Sequence, residues 1–264
     1  MRYSTQTEHG KPIRLHDADD FIAMRIAGKI AAETLDFITP YVKAGVSTAE
    51  LDRLCEEFMR AAGSIPATID YHGYRHASCI SVNHVVTHGI PSASKILKTG
   101  DILNIDVTPK INGWHGDTSR TYKVGAVSIL ANRLVDTTYA AMMAGIKEVR
   151  PGATLGDVGA AIEAVARAER FSSVRDFCGH GVGQVFHDTP LVLHYGKRGT
   201  GTVLEPGMFF TIEPMLNAGS FEVKVLGDGW TTVTKDHSLS AQFEHTLAVT
   251  ETGFEIFTLS ALGE

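Results

Sequence analysis

A chain of 264 residues with 44% hydrophobic and 20% charged residues has the profile of an ordinary globular protein with room for a sizeable core. Its formal net charge of −6 argues against a strongly electrostatic binder of nucleic acid or membrane surfaces. No apolar run approaches the roughly 18 residues that cross a bilayer, so neither DNA nor a membrane is an expected partner.

The opening segment MRYSTQTEHGKPIR holds no apolar stretch of the secretory kind. Cys55, Cys79 and Cys178 form no CxxC pair, which points to reduced thiols and a cytoplasmic location. A first helix is expected over about 17–40. A second begins at Ser47, whose hydroxyl can cap a backbone N–H while Glu50 favours the positive helix end. Leu51, Leu54, Cys55, Phe58 and Ala62 follow at helical spacing and read as core. Strand-rich segments follow Ile80 and Ile102. There, Asn112-Gly113 between two alternating segments is a strong hairpin signal. A two-residue turn sets residue 108 opposite 117 and residue 106 opposite 119, leaving Asp106 and Asp117 diagonal on one face. Pro109 makes that register provisional, through a bulge. Two ionised carboxylates so close need a cation, a shared proton or solvent. On the hairpin alone, a metal site and a solvent-facing polar edge are equally good readings.

The same order then returns. A helix is expected over about 130–149, and Thr154 with Asp157 starts the next, carrying Val158, Ala161, Ile162 and Val165. Leu97-x-x-Gly100-x-x-x-x-Ile105-Asp106 recurs as Leu204-x-x-Gly207-x-x-x-x-Ile212-Glu213. Gly45-x-Ser47-x-x-Glu50-Leu51 recurs as Gly152-x-Thr154-x-x-Asp157-Val158, at the same offset of 107 residues. Two matches at one offset indicate duplicated halves, about 17–125 and 126–259, within one domain spanning 1–264. Helices on one side of a mainly antiparallel sheet make an α+β fold, with a cleft where the halves meet. Further strands follow Met208 and Thr231. Glu213 stands at the echo of Asp106, and Glu244 lies in the last apolar strand. Four acids, two from each half, can converge there. Hard oxygen ligands suit Mn²⁺, Fe²⁺ or Co²⁺, and a paired arrangement can hold two ions. A structural calcium site is the competitor, and it would not call for histidine.

Of twelve histidines, His9, His16, His76 and His237 carry no functional signal. His180 lies in Cys178-Gly-His-Gly-Val-Gly183, where flanking glycines allow close backbone approach. His187 follows in Phe-His-Asp-Thr-Pro, and His88 lies in Val-Thr-His-Gly-Ile-Pro. Taken singly, each is more often a structural group than a ligand. The HExxH zinc signature is absent, and GHGVG lacks the GxGxxG or Walker pattern of nucleotide sites.

Together, THGIP, NIDVTPKINGWHGDTS, GHGVGQVFHDTP, EPGMFFTIEPM and SAQFEHT resemble the type I methionine aminopeptidases, in order and spacing, over about 17–259. The resemblance implies the pita-bread fold, two pseudo-symmetric halves with a central antiparallel sheet covered by helices, forming a single catalytic domain. It implies two divalent metal ions, with Co, Mn, Fe, Zn or Ni as candidates. Asp106 would hold one ion, Asp117 and Glu244 would bridge both, and His180 and Glu213 would complete the other site. The implied reaction is removal of the initiator methionine from nascent proteins, with preference for a small second residue. Glu213 would be the general base, His187 would stabilise the oxyanion, and His88 would contact the scissile amide nitrogen. Tyr71, Cys79, Phe186 and Trp230 match methionine-pocket positions, for which plain core packing is the reading without the resemblance. Asn83, Val85 and Ser240 match a site for one monovalent Na⁺ or K⁺. Nascent polypeptide N-termini, transient ribosome association and a monomeric state go with this resemblance. Asp70 and Arg75 depart from the family's usual Leu-Gly-Tyr-His-Gly-Tyr-Pro segment at the pocket mouth, and Thr87 stands where many bacterial members have cysteine. With no long insertion between His187 and Glu213 and no zinc-finger extension, a bacterial-style chain is the expectation. An Xaa-Pro peptidase, a binding module that has lost its chemistry and a metal-free creatine-type amidinohydrolase are the rivals on the same fold.

Overall fold

Side-chain caps set where each of the four α-helices among the described residues begins. Asp17 accepts from the Asp19 and Asp20 amides and closes a reciprocal box with Asp20, starting α1 (Ala18–Ile38). Ser47 accepts from the Glu50 amide and starts α2 (Thr48–Ala61). Ser128 caps α3 (Ile129–Lys147), and Thr154 with Asp157 boxes the start of α4 (Leu155–Ala168). The computed structural model describes residues 2–8 and 10–262, so His9 lies outside the described residues.

The repeat read from the sequence has a hydrogen-bonded counterpart. Gly45 N–H donates to the Leu97 carbonyl, and Gly152 N–H donates to the Leu204 carbonyl, both at 2.9 Å. Isolated bridges pair Ser47 with Ile96 and Thr154 with Val203. In each half, the loop before the second helix is thereby pinned to the segment that leads into an acid-bearing strand.

Apolar faces of the helix pairs then cover the strands. Leu35, Ile38, Leu51, Cys55 and Met59 pack with Ile80, Leu103, Ile105 and Val107. Leu134, Met142, Ile146, Val158 and Ile162 pack with Phe210, Ile212, Leu247 and Val249. A third cluster at the seam joins Met24, Ala27 and Trp114 to Val182, Phe209, Ala248 and Phe257. Each fully buried Leu or Ile contributes about 1.5–3 kcal/mol through removal from water.

The strand pairs are antiparallel, but the central sheet is interrupted rather than continuous. One segment orders Ser78–Val82, Ile102–Val107 and Thr118–Lys123. Another orders Asp188–Val192, Gly179–Gly181, Phe209–Ile212, His245–Val249 and Phe254–Ile256. A Ser119–Glu244 bridge joins them. Around that bridge, side chains replace ladder bonds: Thr118 Oγ1 donates to the Glu244 carbonyl, and Thr121 Oγ1 to the Gln242 carbonyl, both at 2.6 Å. Pro214 offers no N–H to the ladder beside Glu213, so the interruption falls where the acids stand.

One element had no counterpart in the sequence reading. Strands Arg2–Glu8 and Lys11–Leu15 form an N-terminal hairpin that buries Ile13 and Leu15 in the second-half core.

Candidate active site

Asn112 and Gly113 take φ of 50° and 87°, the left-handed pair that a tight two-residue hairpin turn requires. Register then runs without slip through Ile111–Trp114, Lys110–His115, Val107–Thr118 and Asp106–Ser119, so Pro109 introduces no bulge. Residue 108 therefore faces 117, and Asp106 lies diagonal to Asp117. Thr108 Oγ1 uses that position to donate to Asp117 Oδ1 at 2.7 Å. Thr246 Oγ1 holds the Asp117 carbonyl from the other half at 2.6 Å.

In the second half, Ile212 pairs with His245 and Met215 with Gln242. Continuity of register across the gap sets Glu213 opposite Glu244. The glycines flanking His180 serve tight strand packing: a Cβ on Gly179 would lie 2.3 Å from the Thr211 carbonyl oxygen, and one on Gly181 would lie 2.0 Å from that of Thr189. This close approach lets Thr211 Oγ1 accept from the His180 amide at 3.0 Å and donate to Glu213 Oε1 at 2.7 Å. His194, fully buried, accepts the Glu213 amide on Nε2 at 3.1 Å.

All five residues expected to hold metal line one cavity of about 500 Å³. Ligand atoms of Asp117, His180 and Glu244 lie within 4.8 Å of one another. His180 Nε2 stands 3.6 Å from Asp117 and 3.5 Å from Glu213. Asp106 and Glu213 line the same cavity as this trio. Burial, then the neighbouring Asp117 charge, raises the carboxyls of Asp106, Glu213 and Glu244 well above their usual range. Burial lifts Asp117 to about 7, against the downward pull of the Thr108 hydroxyl. Burial lowers His180 to about 4, so its imidazole is neutral near pH 7 and has a lone pair to give. Four crowded carboxylates and a neutral imidazole are the donor set a divalent cation would stabilise.

The six expected substrate contacts line the same cavity. His187 Nδ1 lies 2.8 Å from the Tyr71 hydroxyl, and its ring centroid lies 4.3 Å from that of His180. Burial, then the surrounding histidines, lowers it to about 3. His88 has φ of 56° and packs edge-on to Phe177 and Trp230. Tyr71, Cys79, Phe186 and Trp230 line the cavity, as does Thr87. Asp70 and Arg75 are not among the lining residues; they pair with each other on the surface at 3.1 Å.

Sequence reasoning missed Tyr74, Phe177 and Met215 in the lining, and Thr211 and His194 as supports. Tyr74 belongs to the quoted Tyr-His-Gly-Tyr segment, which was a usable signal. A threonine or histidine supporting a ligand from behind has no spacing rule that singles it out. Of the residues matched to a monovalent cation, Ser240 N–H donates to the Asn83 carbonyl at 2.8 Å, and Ser240 Oγ is buried with no partner among the described residues. Val85 lies in the adjoining strand Val85–Thr87. Among the described residues, no helix is long and apolar enough to cross a membrane.

The profile of metallopeptidase family M24 matches residues 22–251. Methionine aminopeptidase of Rickettsia prowazekii (strain Madrid E) is 57% identical over 249 residues, 94% of this chain and 96% of that one. A crystal structure of methionine aminopeptidase from Rickettsia prowazekii superposes with a TM-score of 0.92, covering 94% of this chain and 100% of that chain. Methionine aminopeptidase of Escherichia coli (strain K12) is 51% identical over 248 residues, 94% of each chain. Prolidase from Pyrococcus furiosus shares the fold at a TM-score of 0.75 and 21% identity, covering 93% of this chain and 65% of that one.

Proposed function

The chain belongs to metallopeptidase family M24, and on that premise we propose that it removes the N-terminal methionine from polypeptides with the help of divalent metal. The observation that carries this reading is the convergence of Asp106, Asp117, His180, Glu213 and Glu244 on one cavity that Tyr71, Phe177, Phe186, Met215 and Trp230 also line. Similarity to methionine aminopeptidases over nearly the whole chain gives the substrate. The pita-bread fold, an α+β arrangement of two halves around the cleft, goes with it.

Those five residues would hold two divalent ions, with Asp117 and Glu244 shared, Asp106 on one side and His180 with Glu213 on the other. Bound there, the ions would polarise the scissile carbonyl and acidify an attacking water. With the ions bound, Glu213 would be the group that accepts the proton of the attacking water. Its carboxylate is held for this by Thr211 at 2.7 Å and by Gln242, whose amide lies 3.3 Å away. His187 is neutral near pH 7, so it acts on the developing oxyanion as a hydrogen-bond donor rather than as a cation. This role requires the proton on Nε2, the tautomer in which Nδ1 accepts from the Tyr71 hydroxyl 2.8 Å away. His88 contacts the scissile amide nitrogen. Tyr71, Cys79, Phe186 and Trp230 enclose the methionine side chain, with Tyr74 beside them. An apolar enclosure suits a flexible thioether, and a small second residue avoids collision with its rim. Of candidate metals, Co, Mn, Fe, Zn and Ni all accept this mixed oxygen and nitrogen set.

We place the enzyme in the cytoplasm, working as a monomer on nascent chains beside the ribosome, because initiator methionine is exposed there. The chain would act as a single catalytic domain, with halves of about 17–125 and 126–259. The unpartnered Ser240 hydroxyl beside the Asn83 carbonyl supports one Na⁺ or K⁺ site at Asn83, Val85 and Ser240.

The test is metal-titrated release of the first residue, with metal content measured on the same sample. Met-Ala-Ser should be cleaved far faster than Ala-Pro-Gly. The opposite preference would establish an Xaa-Pro peptidase on this shared fold instead.

A further inference from the structure

The N-terminal hairpin precedes residues 22–251, the part matched by the family profile, yet Glu8 and Lys11 reach the wall of the substrate cavity. The two face each other in the hairpin register. This hairpin is built into the molecule. Ile13 and Leu15 are buried in the second-half core. The Gln6 amide exchanges two 2.8 Å bonds with the Val203 backbone, and Thr189 Oγ1 donates to the Pro12 carbonyl at 3.2 Å. Glu8 itself accepts the Leu191 amide at 2.6 Å, taking an outward donor of Asp188–Val192, the edge strand of its sheet. That bond fixes one carboxylate oxygen and leaves the group at the rim.

The path of a substrate follows from exposure. Among the lining residues Tyr74 and Cys79 are enclosed, at 3% and 7%, whereas Leu191 is 38% exposed and Lys11 is exposed. A peptide whose first side chain packs against the enclosed residues leaves the cleft past the hairpin. We propose that the hairpin is the outer wall of the substrate cleft, and that Glu8 reads the residues downstream of the cleaved bond, favouring basic over acidic side chains there. This rests on the aminopeptidase reading. Asp176 and Asp188 line the same cavity and share the sign of Glu8, while Lys11 opposes it. A rim charge in partial contact with solvent discriminates modestly, and salt screens it.

The experiment compares kcat/KM of the metal-loaded full chain on Met-Ala-Lys-Lys-Ser, Met-Ala-Ser-Ser-Ser and Met-Ala-Glu-Glu-Ser. The lysine peptide should exceed the glutamate peptide by about 3–10-fold at low ionic strength, shrinking at high salt. Glu8→Lys should bring that ratio to one or below, and Glu8→Gln should lower it partway while keeping an acceptor for Leu191. Lys11→Glu, at an exposed site that tolerates change, should raise it. A wild-type ratio near one overturns the inference. So does a ratio unmoved by both Glu8→Lys and Lys11→Glu while the serine peptide is still cleaved, and if Glu8→Lys fails to fold, Lys11→Glu decides. No methionine release from any of the three peptides overturns the activity reading itself, and this inference with it.

Discussion

Thr211 shows how much one hydroxyl can organise. It accepts from the His180 amide and donates to Glu213 Oε1, so two residues proposed as ligands to one ion share a single buried support. Thr211→Val keeps the shape and removes both bonds. Loss of such a support weakens metal affinity about 10–100-fold, which calorimetric titration of the metal would measure, with circular dichroism unchanged. Asp106 shows the reverse economy. Its raised carboxyl, from burial and then the Asp117 charge, binds a proton more readily folded than unfolded. Ionisation therefore destabilises the folded state as pH rises above the unfolded carboxyl range, and the effect vanishes when both states are protonated. Asp106→Asn should raise the melting temperature of chelator-treated protein at pH 8 by a few °C, on the order expected for about 1–2 kcal/mol. At pH 3 the gain should disappear, and at pH 8 with saturating metal the variant should gain less than the wild type does.

At the scale of elements, strand spacing governs the site. The strand Gly179–Gly181 fits between its neighbours because it carries no Cβ on either side of His180. Gly181→Ala would drive a methyl to 2.0 Å from the Thr189 carbonyl oxygen, a clash with backbone that no rotamer relieves. Urea denaturation should show a loss of about 1–3 kcal/mol or more, together with weakened metal binding, since His180 moves with its strand. Retention of both stability and affinity would mean that the strands can part at no cost, contrary to the packing described. The Asn112-Gly113 turn acts differently: it sets the register that brings Asp106 and Asp117 together while lying outside the lining of the cavity.

The whole molecule is a clamp of two covered half-sheets around charges that disfavour their own burial. Metal is therefore linked to folding. A ligand that binds only the folded state at 100 times its dissociation constant adds about 2.7 kcal/mol. For a chain of this size, chelation should lower the melting temperature by roughly 5–10 °C, measured by scanning fluorimetry with and without metal. Acid acts through the histidines. His16, stacked on Phe209, and His194 are lowered by burial to about 4 and about 3, against an ordinary value of 6.5. Between those values the unfolded chain binds more protons than the folded one. These two residues contribute a stability that rises with pH from about 3 to 6.5 and is lost on acidification.

What the sequence determined by itself was local or periodic. Capping residues, the spacing of Leu51 to Ala62, and the Asn112-Gly113 turn act within a few residues, so helix starts and hairpin register were legible. The 107-residue echo was legible because both copies keep the same pinning glycines and acids. The family motifs carried the candidate ligands, which the hairpin alone left open. Only the tertiary structure decided what lies behind and around them. Thr211 and His194 are one threonine and one histidine among many, and they matter through neighbours that only folding brings close. Asp70 and Arg75 looked like pocket-mouth changes in sequence but neutralise each other on the surface. The strands Arg2–Glu8 and Lys11–Leu15 carried no structural signal in the sequence beyond the lack of a secretory stretch, yet they dock on Val203, Thr189 and Leu191, nearly two hundred residues away. Contacts at that separation depend on the path of the whole backbone, and no local pattern encodes it.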